Sequence, residues 1–408
     1  MDICIKPSLL SGRVEIPASK SCAHRAIICA SLAEGSSVIR GVTMSKDIEA
    51  TIGAMSALGA EITVSGSTVT VNGISSSTKK AVVDCNESGS TLRFVIPIAA
   101  ALGIEAEFFG RGRLPERPID IYSRELGRKG ISFLTEKMPY RIAGRLEGGR
   151  YEIEGDVSSQ FVTGLLFALP LLDEDSELML TSHLESRPYV DITIDILKRF
   201  GIAVDETENG FRICGGQKYI PHDEKIEGDY SQAAFFFVAN ALGSDIEIGN
   251  LSAESVQGDR RILDIIRDMS IGGSLGSFRA DCSDIPDLVP VLAVLGAFGS
   301  GESVIYNAKR LRIKESDRLA TTAAMLNELG GDVRVTDDGL IITPTGAMHG
   351  GVISSAGDHR IVMAAAVAAT RTDGEVIIKG AEAAEKSYPD FFRDYIDLGG
   401  KANVIHME

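Results

Sequence analysis

One short stretch, "RLRIKESDRLA" (310–320), crowds Arg310, Arg312, Lys314, Glu315, Asp317 and Arg318 together. A carboxylate beside cations stays ionised and can accept a proton, whereas one sheltered in a closed cleft can carry one. A helix through "LATTAAMLNELG" follows at once, so the stretch is either a solvated helix entrance or a site that holds an anion and moves a proton. A second carboxylate, Asp287 in "SDIPDLVP", stands at another such entrance. The residues alone leave open which acid does which, and each also fits a cap or an ion-pair partner.

The entrances of the apolar helices share a composition. Lys20, Ser21 and Arg25 open "AIICASLA", "ESGSTLR" opens "FVIPIAAAL", "DVSSQ" opens "FVTGLLFAL", Asp287 opens "LVPVLAVLGAF", and Asp358, His359 and Arg360 open "IVMAAAVAA". Ser, Asp and Gly there are ordinary N-caps. Arg25, Arg93, Arg318 and Arg360, placed at or near first turns, run against the macrodipole, which favours negative charge at that end. An anion nearby would reconcile them, because free backbone N–H groups already make an anion site. The loop "GRGRLPERPID" (110–120) adds Arg111, Arg113 and Arg117, and reads equally as a solvated turn. Lys314 and Arg318 are expected one helical turn apart.

These residues must be carried by a repeated element. A helix ending in a hydrophobic residue and glycine, then two short strands across a turn, recurs at 54–73, 125–144, 196–215, 265–284, 325–344 and, clipped, at 395–405. Glycine closes the helix because it enters the left-handed region cheaply. Copies lie roughly 60–70 residues apart, longer than familiar solenoid repeats. Each interval also holds a helix apolar on nearly all sides, which must be buried. Six such units are too many for one core. Two domains of three units are expected, with a boundary near "HDEKIEGDY" (222–230).

Bulk properties narrow the function. The 408 residues carry a formal net charge of −16, which argues against a nucleic-acid binder. Basic groups that hold an anion must therefore be concentrated locally. The six cysteines form no C-x-x-C pair and read as reduced, buried thiols. The six histidines show no zinc-ligand spacing, so no metal centre is expected. The apolar runs are too short to span a bilayer, the start is not a signal peptide, and a cytoplasmic protein is expected.

In their order along the chain, "SKSCAHR", "ESGSTLR", "ERPID", "DVSSQF", "SRPYVDIT", "IPDLVP", "RIKESDRL", "GDHRIVMA" and "KSYPDFF" resemble the 5-enolpyruvylshikimate-3-phosphate synthase (3-phosphoshikimate 1-carboxyvinyltransferase) family over essentially the whole length. The resemblance implies an α/β (α+β) fold: a two-domain inside-out barrel of six βαβαββ repeats, three per domain. One domain would hold residues 20–227 and the shikimate 3-phosphate side. The other would join 1–19 to 228–408 and carry the acid/base residues and the phosphoenolpyruvate carboxylate contacts. Hinges would lie near 19–20 and 227–228, and domain closure would exclude water.

By motif position, the resemblance makes Asp287, Glu315 and Lys20 catalytic. Lys20, Ser21, Arg25, Ser158, Ser159, Gln160, Ser186, Tyr189, Asp287, Arg310 and Lys314 would bind shikimate 3-phosphate. Lys20, Gly89, Arg117, Gln160, Arg318, Arg360 and Lys386 would bind phosphoenolpyruvate. No cofactor, metal, nucleic-acid or membrane partner is implied, and a monomer is expected. Arg310 stands where some members have Asn, Glu87 and Ser88 replace an Asn-Ala pair, and Phe94 stands where Pro is frequent. The UDP-N-acetylglucosamine enolpyruvyl transferases share the fold but place a cysteine in the loop matching "GRGRLPERPID", and this loop has none. RNA 3′-phosphate cyclases are disfavoured by the charge, and a non-catalytic anion binder would not need Asp287 and Glu315 among the cations.

Overall fold

A helix with no polar side has nothing to show to water, so the apolar runs dictate where the cores lie. The computed structural model describes residues 1–76, 78–271 and 274–405. The chain divides into two compact units, Ala18–Glu227, and Met1–Pro17 joined to Gly228–Glu408. The first unit contains α1 (Lys20–Leu32), α2 (Lys46–Leu58), α3 (Gly89–Ala101), α4 (Asp120–Gly127), α5 (Ser159–Ala168) and α6 (Arg187–Arg199). Helices α1, α3 and α5 are buried along almost their whole length, while α2, α4 and α6 bury one face. The second unit follows the same rule with α7 (Tyr230–Ala241), α8 (Ile262–Met269), α9 (Val289–Ala297), α10 (Arg318–Glu328), α11 (His359–Ala369) and α12 (Phe391–Asp397). There α7, α9 and α11 are the buried helices.

Small sheets cover the buried helices, each repeating one pattern. Lys80–Asp84 and Glu105–Phe109 pair in parallel, then Tyr140–Gly144 and Ile131–Phe133 add antiparallel. Gly149–Ile153, Ser176–Leu180, Gly210–Ile213 and Asp205–Thr207 do the same, as do Arg279–Asp281, Ser303–Tyr306, Leu340–Thr343 and Asp332–Val335. Two sheets borrow a distant strand. Glu224–Lys225 joins Ser36–Arg40 in parallel, and Asp2–Lys6 sits between Val376–Lys379 and Lys401–Ile405. Each borrowed strand ties the two ends of its unit together.

The fourth repeat departs from the expected form. Ser11–Glu15 pairs in parallel with Asp245–Gly249, but the hairpin Ser270–Ile271 with Ser274–Leu275 remains a separate two-stranded sheet. Its helix also ends differently. Gly59, Gly201, Gly330 and Gly399 follow their helices with positive φ as expected. By contrast, α8 runs into Ser270 with extended backbone, and its glycines, 272 and 273, lie outside the described residues.

Close helix packing sets up the site. A Cβ on Gly164 would lie 2.2 Å from the Arg93 carbonyl oxygen and 2.3 Å from the Tyr122 hydroxyl, so only glycine lets α5 approach α3 this closely. Tyr122 Oη donates to the Arg93 (2.8 Å) and Phe161 (2.9 Å) carbonyls, satisfying the buried hydroxyl. Among the cysteines, Cys22, Cys29, Cys85 and Cys282 are buried, but Cys214 is exposed and Cys4 half-buried, contrary to a uniformly buried set. Cys4 sits mid-strand between Val376–Lys379 and Lys401–Ile405, where period-two alternation turns it away from the core, and Cys214 directly follows the strand Gly210–Ile213. No helix among the described residues is long and apolar enough to cross a membrane.

Candidate active site

In the unit completed by Gly228–Glu408, three helix entrances deliver a linked set of charges. Asp287 lies in a one-turn 3₁₀ segment, Pro286–Leu288, that opens α9. Asp317 caps α10 by accepting from Ala320 N (3.1 Å), which makes Arg318 the first helical residue. Asp358 caps α11 through Arg360 N (3.0 Å). Arg318 is 2% exposed and turns each of its three guanidinium nitrogens toward an acid. Its Nη1 donates to Asp287 Oδ1 (2.9 Å), Nη2 to Glu315 Oε2 (2.7 Å) and Nε to Asp358 Oδ2 (2.8 Å). Arg360 Nη2 donates to the other Asp287 oxygen (2.7 Å) and to Ser231 Oγ (3.0 Å).

The electrostatics follow from this pairing. Burial alone would push the Asp287 carboxyl up, but Arg360, Arg318 and Lys314 hold it well below the usual carboxylate range. Burial works against the charge of Arg318, yet Asp358, Glu315 and Asp287 raise it above its ordinary value. Burial holds the Lys314 ammonium down to about 8, against the pull of Asp287. The anion expected near these counter-dipole arginines is thus supplied by the chain's own carboxylates.

The remaining charges of the stretch divide. Arg312 donates to Asp317 Oδ2 (3.2 Å) and the Thr336 carbonyl (2.7 Å), a scaffolding role. Arg310 Nη2 donates to the Ser283 carbonyl. Lys314 follows the 3₁₀ segment Lys309–Ile313 with φ −85° and ψ −157°, so Lys314 and Arg318 do not share a helical face as expected. The extended backbone at Lys314 breaks the helical period before α10 begins. Lys386 Nζ donates to the Gly357 carbonyl (3.0 Å), beside the cap of α11.

In the unit Ala18–Glu227, the expected residues fall into small groups. Lys20 opens α1 and pairs with Asp47 on α2 (2.9 Å). Arg25 and Arg93 sit in second turns rather than first ones, as the sixth residue of α1 and the fifth of α3. Helical side chains lean toward the N-terminus, so both still reach back. Arg25 donates to the Ser21 carbonyl (2.7 Å), Thr193 Oγ1 (2.8 Å) and the Tyr189 carbonyl (2.9 Å). That joins Ser21, Arg25 and Tyr189 and uses three of the five guanidinium N–H groups. Burial holds Arg25 down to about 10.

Gly89 opens α3 after the cap Ser88, and a Cβ there would lie 2.4 Å from Arg117 Nη1, so the guanidinium rests on the glycine. Of the loop arginines only Arg117 turns inward; Arg111 pairs with Asp84 (2.6 Å) and Arg113 with Glu116 (3.3 Å) in solvent. Ser158 caps α5 through Gln160 N (3.4 Å), and Ser159 is its buried first residue. Gln160 Oε1 accepts from Arg93 Nη1 (2.8 Å), and its Nε2 donates to Ser90 Oγ (3.0 Å). Ser186 immediately precedes α6 in the left-handed region (φ 56°), rare for a residue other than glycine, and is buried.

Sequence reasoning gave no role to Asp47, Ser90, Ser231 or Thr193, and gave Asp358 only that of a cap. Arg93 was visible only as a counter-dipole charge. Asp358 carried a signal, an Asp two residues before Arg360, but it reads locally as a cap.

Comparison with known proteins converges on one family. The model for EPSP synthase (3-phosphoshikimate 1-carboxyvinyltransferase) matches residues 5–395. A 3-phosphoshikimate 1-carboxyvinyltransferase of Clostridium perfringens is 44% identical over 416 aligned residues, covering 98% of both chains. Another, from Clostridium kluyveri, is 46% identical over 98% of this chain and 97% of its own. A solved EPSP synthase from Acinetobacter baumannii superposes with TM-score 0.84 at 25% identity, over 99% of this chain and all of that one. The enolpyruvyl transferase NikO from Streptomyces tendae, 17% identical, shares the fold with TM-score 0.81 over all of this chain and 99% of its own. The chain belongs to the EPSP synthase (3-phosphoshikimate 1-carboxyvinyltransferase) family.

Proposed function

We propose that this chain transfers the 1-carboxyvinyl group of phosphoenolpyruvate to the 5-hydroxyl of shikimate 3-phosphate. The products are 5-enolpyruvylshikimate 3-phosphate and phosphate, a step toward chorismate and the aromatic amino acids. The observation that carries this reading is the Arg318 hub, which holds Asp287 and Glu315 within hydrogen-bond distance beside Arg360. Acid, base and carboxylate receptors for one addition–elimination thereby share a few ångströms.

In the proposed mechanism, Asp287, which its arginines keep ionised, accepts the proton of the attacking 5-hydroxyl or holds that hydroxyl in place by accepting its hydrogen bond. Glu315 gives a proton to the methylene carbon, so the hydroxyl oxygen bonds to the central carbon and a tetrahedral intermediate forms. Glu315 then takes a proton back from the methyl carbon as the double bond returns, and phosphate leaves with the proton that the 5-hydroxyl gave up. Lys20 and Lys314 stabilise the charge that develops. Arg318 and Arg360 take the phosphoenolpyruvate carboxylate, a planar fork against a planar acid. Gly89, Arg117 and Lys386 take its phosphate, with Gln160 between the two ligands.

Ser21 and Arg25 take the shikimate carboxylate, and Ser158, Ser159 and Ser186 take the 3-phosphate beside Tyr189, with Arg310 on the same side. The enzyme is proposed to act as a cytoplasmic monomer without a cofactor. The test is phosphate release from phosphoenolpyruvate, with shikimate 3-phosphate or UDP-N-acetylglucosamine as acceptor. Release with the first acceptor alone is expected, and release only with the second overturns the reading.

A further inference from the structure

Three arginines of the Ala18–Glu227 unit, Arg25, Arg93 and Arg117, make no ion pair among the described residues, and two of them, Arg93 and Arg117, adjoin. Arg93 is 3% exposed. Its Nη1 donates to Gln160 Oε1 (2.8 Å) and its Nη2 to the Pro118 carbonyl (2.9 Å), both neutral acceptors. Its Nε is buried with no hydrogen-bond partner among the described residues, and its Cζ lies 4.8 Å from the Phe161 ring centroid. The adjoining Arg117 side chain, packed on Gly89, also has a buried Nε without a partner. Arg318 and Arg360 differ, being matched by Asp287, Glu315 and Asp358.

Buried cations without counter-charges are costly, and an ordinary scaffold would pair or remove them. Arg93 bears that cost: burial first, and Arg117 second, hold it down to about 9. Arginine can only donate, so its bond to Gln160 fixes the amide with the oxygen toward Arg93. The amide nitrogen then faces Ser90 and keeps one N–H for a ligand.

We propose that Arg93 is a positioning residue for the departing phosphate of phosphoenolpyruvate, orienting the Gln160 amide and adding a positive charge with no ion-paired acid behind Arg117. The inference rests on the reading that the phosphate of phosphoenolpyruvate binds at Gly89 and Arg117. A dianion there gains from both guanidiniums, although it touches only one.

The experiment compares wild type, Arg93→Met and Arg93→Lys, with Arg117→Ala as the contact reference. Steady-state kinetics give kcat and both KM values, and thermal melts give the stabilisation by inorganic phosphate. For Arg93→Met, KM for phosphoenolpyruvate should rise about tenfold or more. The kcat should stay within about threefold, KM for shikimate 3-phosphate should rise clearly less than that for phosphoenolpyruvate, and the phosphate-induced melting shift should shrink to what the 3-phosphate site alone supplies. Arg93→Lys keeps the charge but not the fork, so it should keep the phosphate shift with a KM rise of about three- to tenfold. If the methionine variant does not fold, the lysine variant decides on the same readouts. An unchanged KM for phosphoenolpyruvate, or equal rises in both KM values, overturns the proposal. Were the wild type inactive with shikimate 3-phosphate, the reading of the reaction would fail, and the melting shift in inorganic phosphate would still decide the role of Arg93.

Discussion

Asp358→Asn is the sharpest perturbation of the buried hub. Asp358 is 0% exposed, and its two oxygens take four donors. Arg318 Nε (2.8 Å) and Ser316 Oγ (3.0 Å) point at Oδ2; Arg360 N (3.0 Å) and Arg318 Nη2 (3.4 Å) point at Oδ1. Asparagine caps helices as well as aspartate, so capping as such is not the issue. Either orientation of the amide, however, turns its NH₂ toward an N–H donor. The change removes one or two charge-assisted bonds, about 1.5–3 kcal/mol each, and takes a charge from a buried cluster. Because Arg318 keeps Asp287 and Glu315, about 3 kcal/mol is a reasonable total. A unit of this size loses about 2–4 °C per kcal/mol, so its melting transition should fall by roughly 6–12 °C. Calorimetry of the ligand-free protein measures this directly. KM for phosphoenolpyruvate should rise as well, because Asp358 holds the side chain of Arg318 and the backbone of Arg360. A melting change under about 2 °C with unchanged KM would refute the reasoning.

Three further outcomes are expected. Gly89→Ala drives a methyl group into the Arg117 guanidinium at 2.4 Å, so KM for phosphoenolpyruvate should rise about tenfold with little change for shikimate 3-phosphate; equal KM values would place Arg117 elsewhere. Glu315→Gln should lower kcat by about 10²–10⁴ while substrate affinities change far less; equal loss of turnover and binding would make Glu315 a structural partner of Arg318. Lys314, held down to about 8, should give an alkaline limb in kcat/KM near that pH, because its charged form is lost there. Its folded value lies below its unfolded one, so the unfolded chain binds more protons between them, and stability should rise across that window as pH rises. Lys314→Arg stays charged and should remove both effects; a limb that persists would assign it to another group.

Local patterns revealed much of this. Apolar-all-round helices and helix-closing glycines gave the repeat, and cations in early helical turns pointed to Arg25, Arg93, Arg318 and Arg360 before any partner was known. What local periodicity lacks is the identity of those partners, since that depends on which entrances meet in space. Asp358 looked like a cap and is also the inner anchor of Arg318; Lys20 gave no hint of Asp47. The helical spacing of Lys314 and Arg318 failed because a 3₁₀ segment and an extended residue intervene. The fourth repeat failed in detail because its hairpin strands are only two residues long and do not join the parallel pair.

The claim that this cluster performs addition and elimination at one carbon has a direct test in deuterium oxide. With shikimate 3-phosphate and phosphoenolpyruvate supplied, the methylene carbon gains a solvent deuteron to become a methyl group. It then loses a hydron as phosphate departs. Mass spectrometry of the product should find deuterium in the vinyl methylene, with both deuterium incorporation and turnover collapsing in Glu315→Gln. Product formed at full rate with a deuterium-free methylene would contradict the account, as would deuterium entering equally in the glutamine variant.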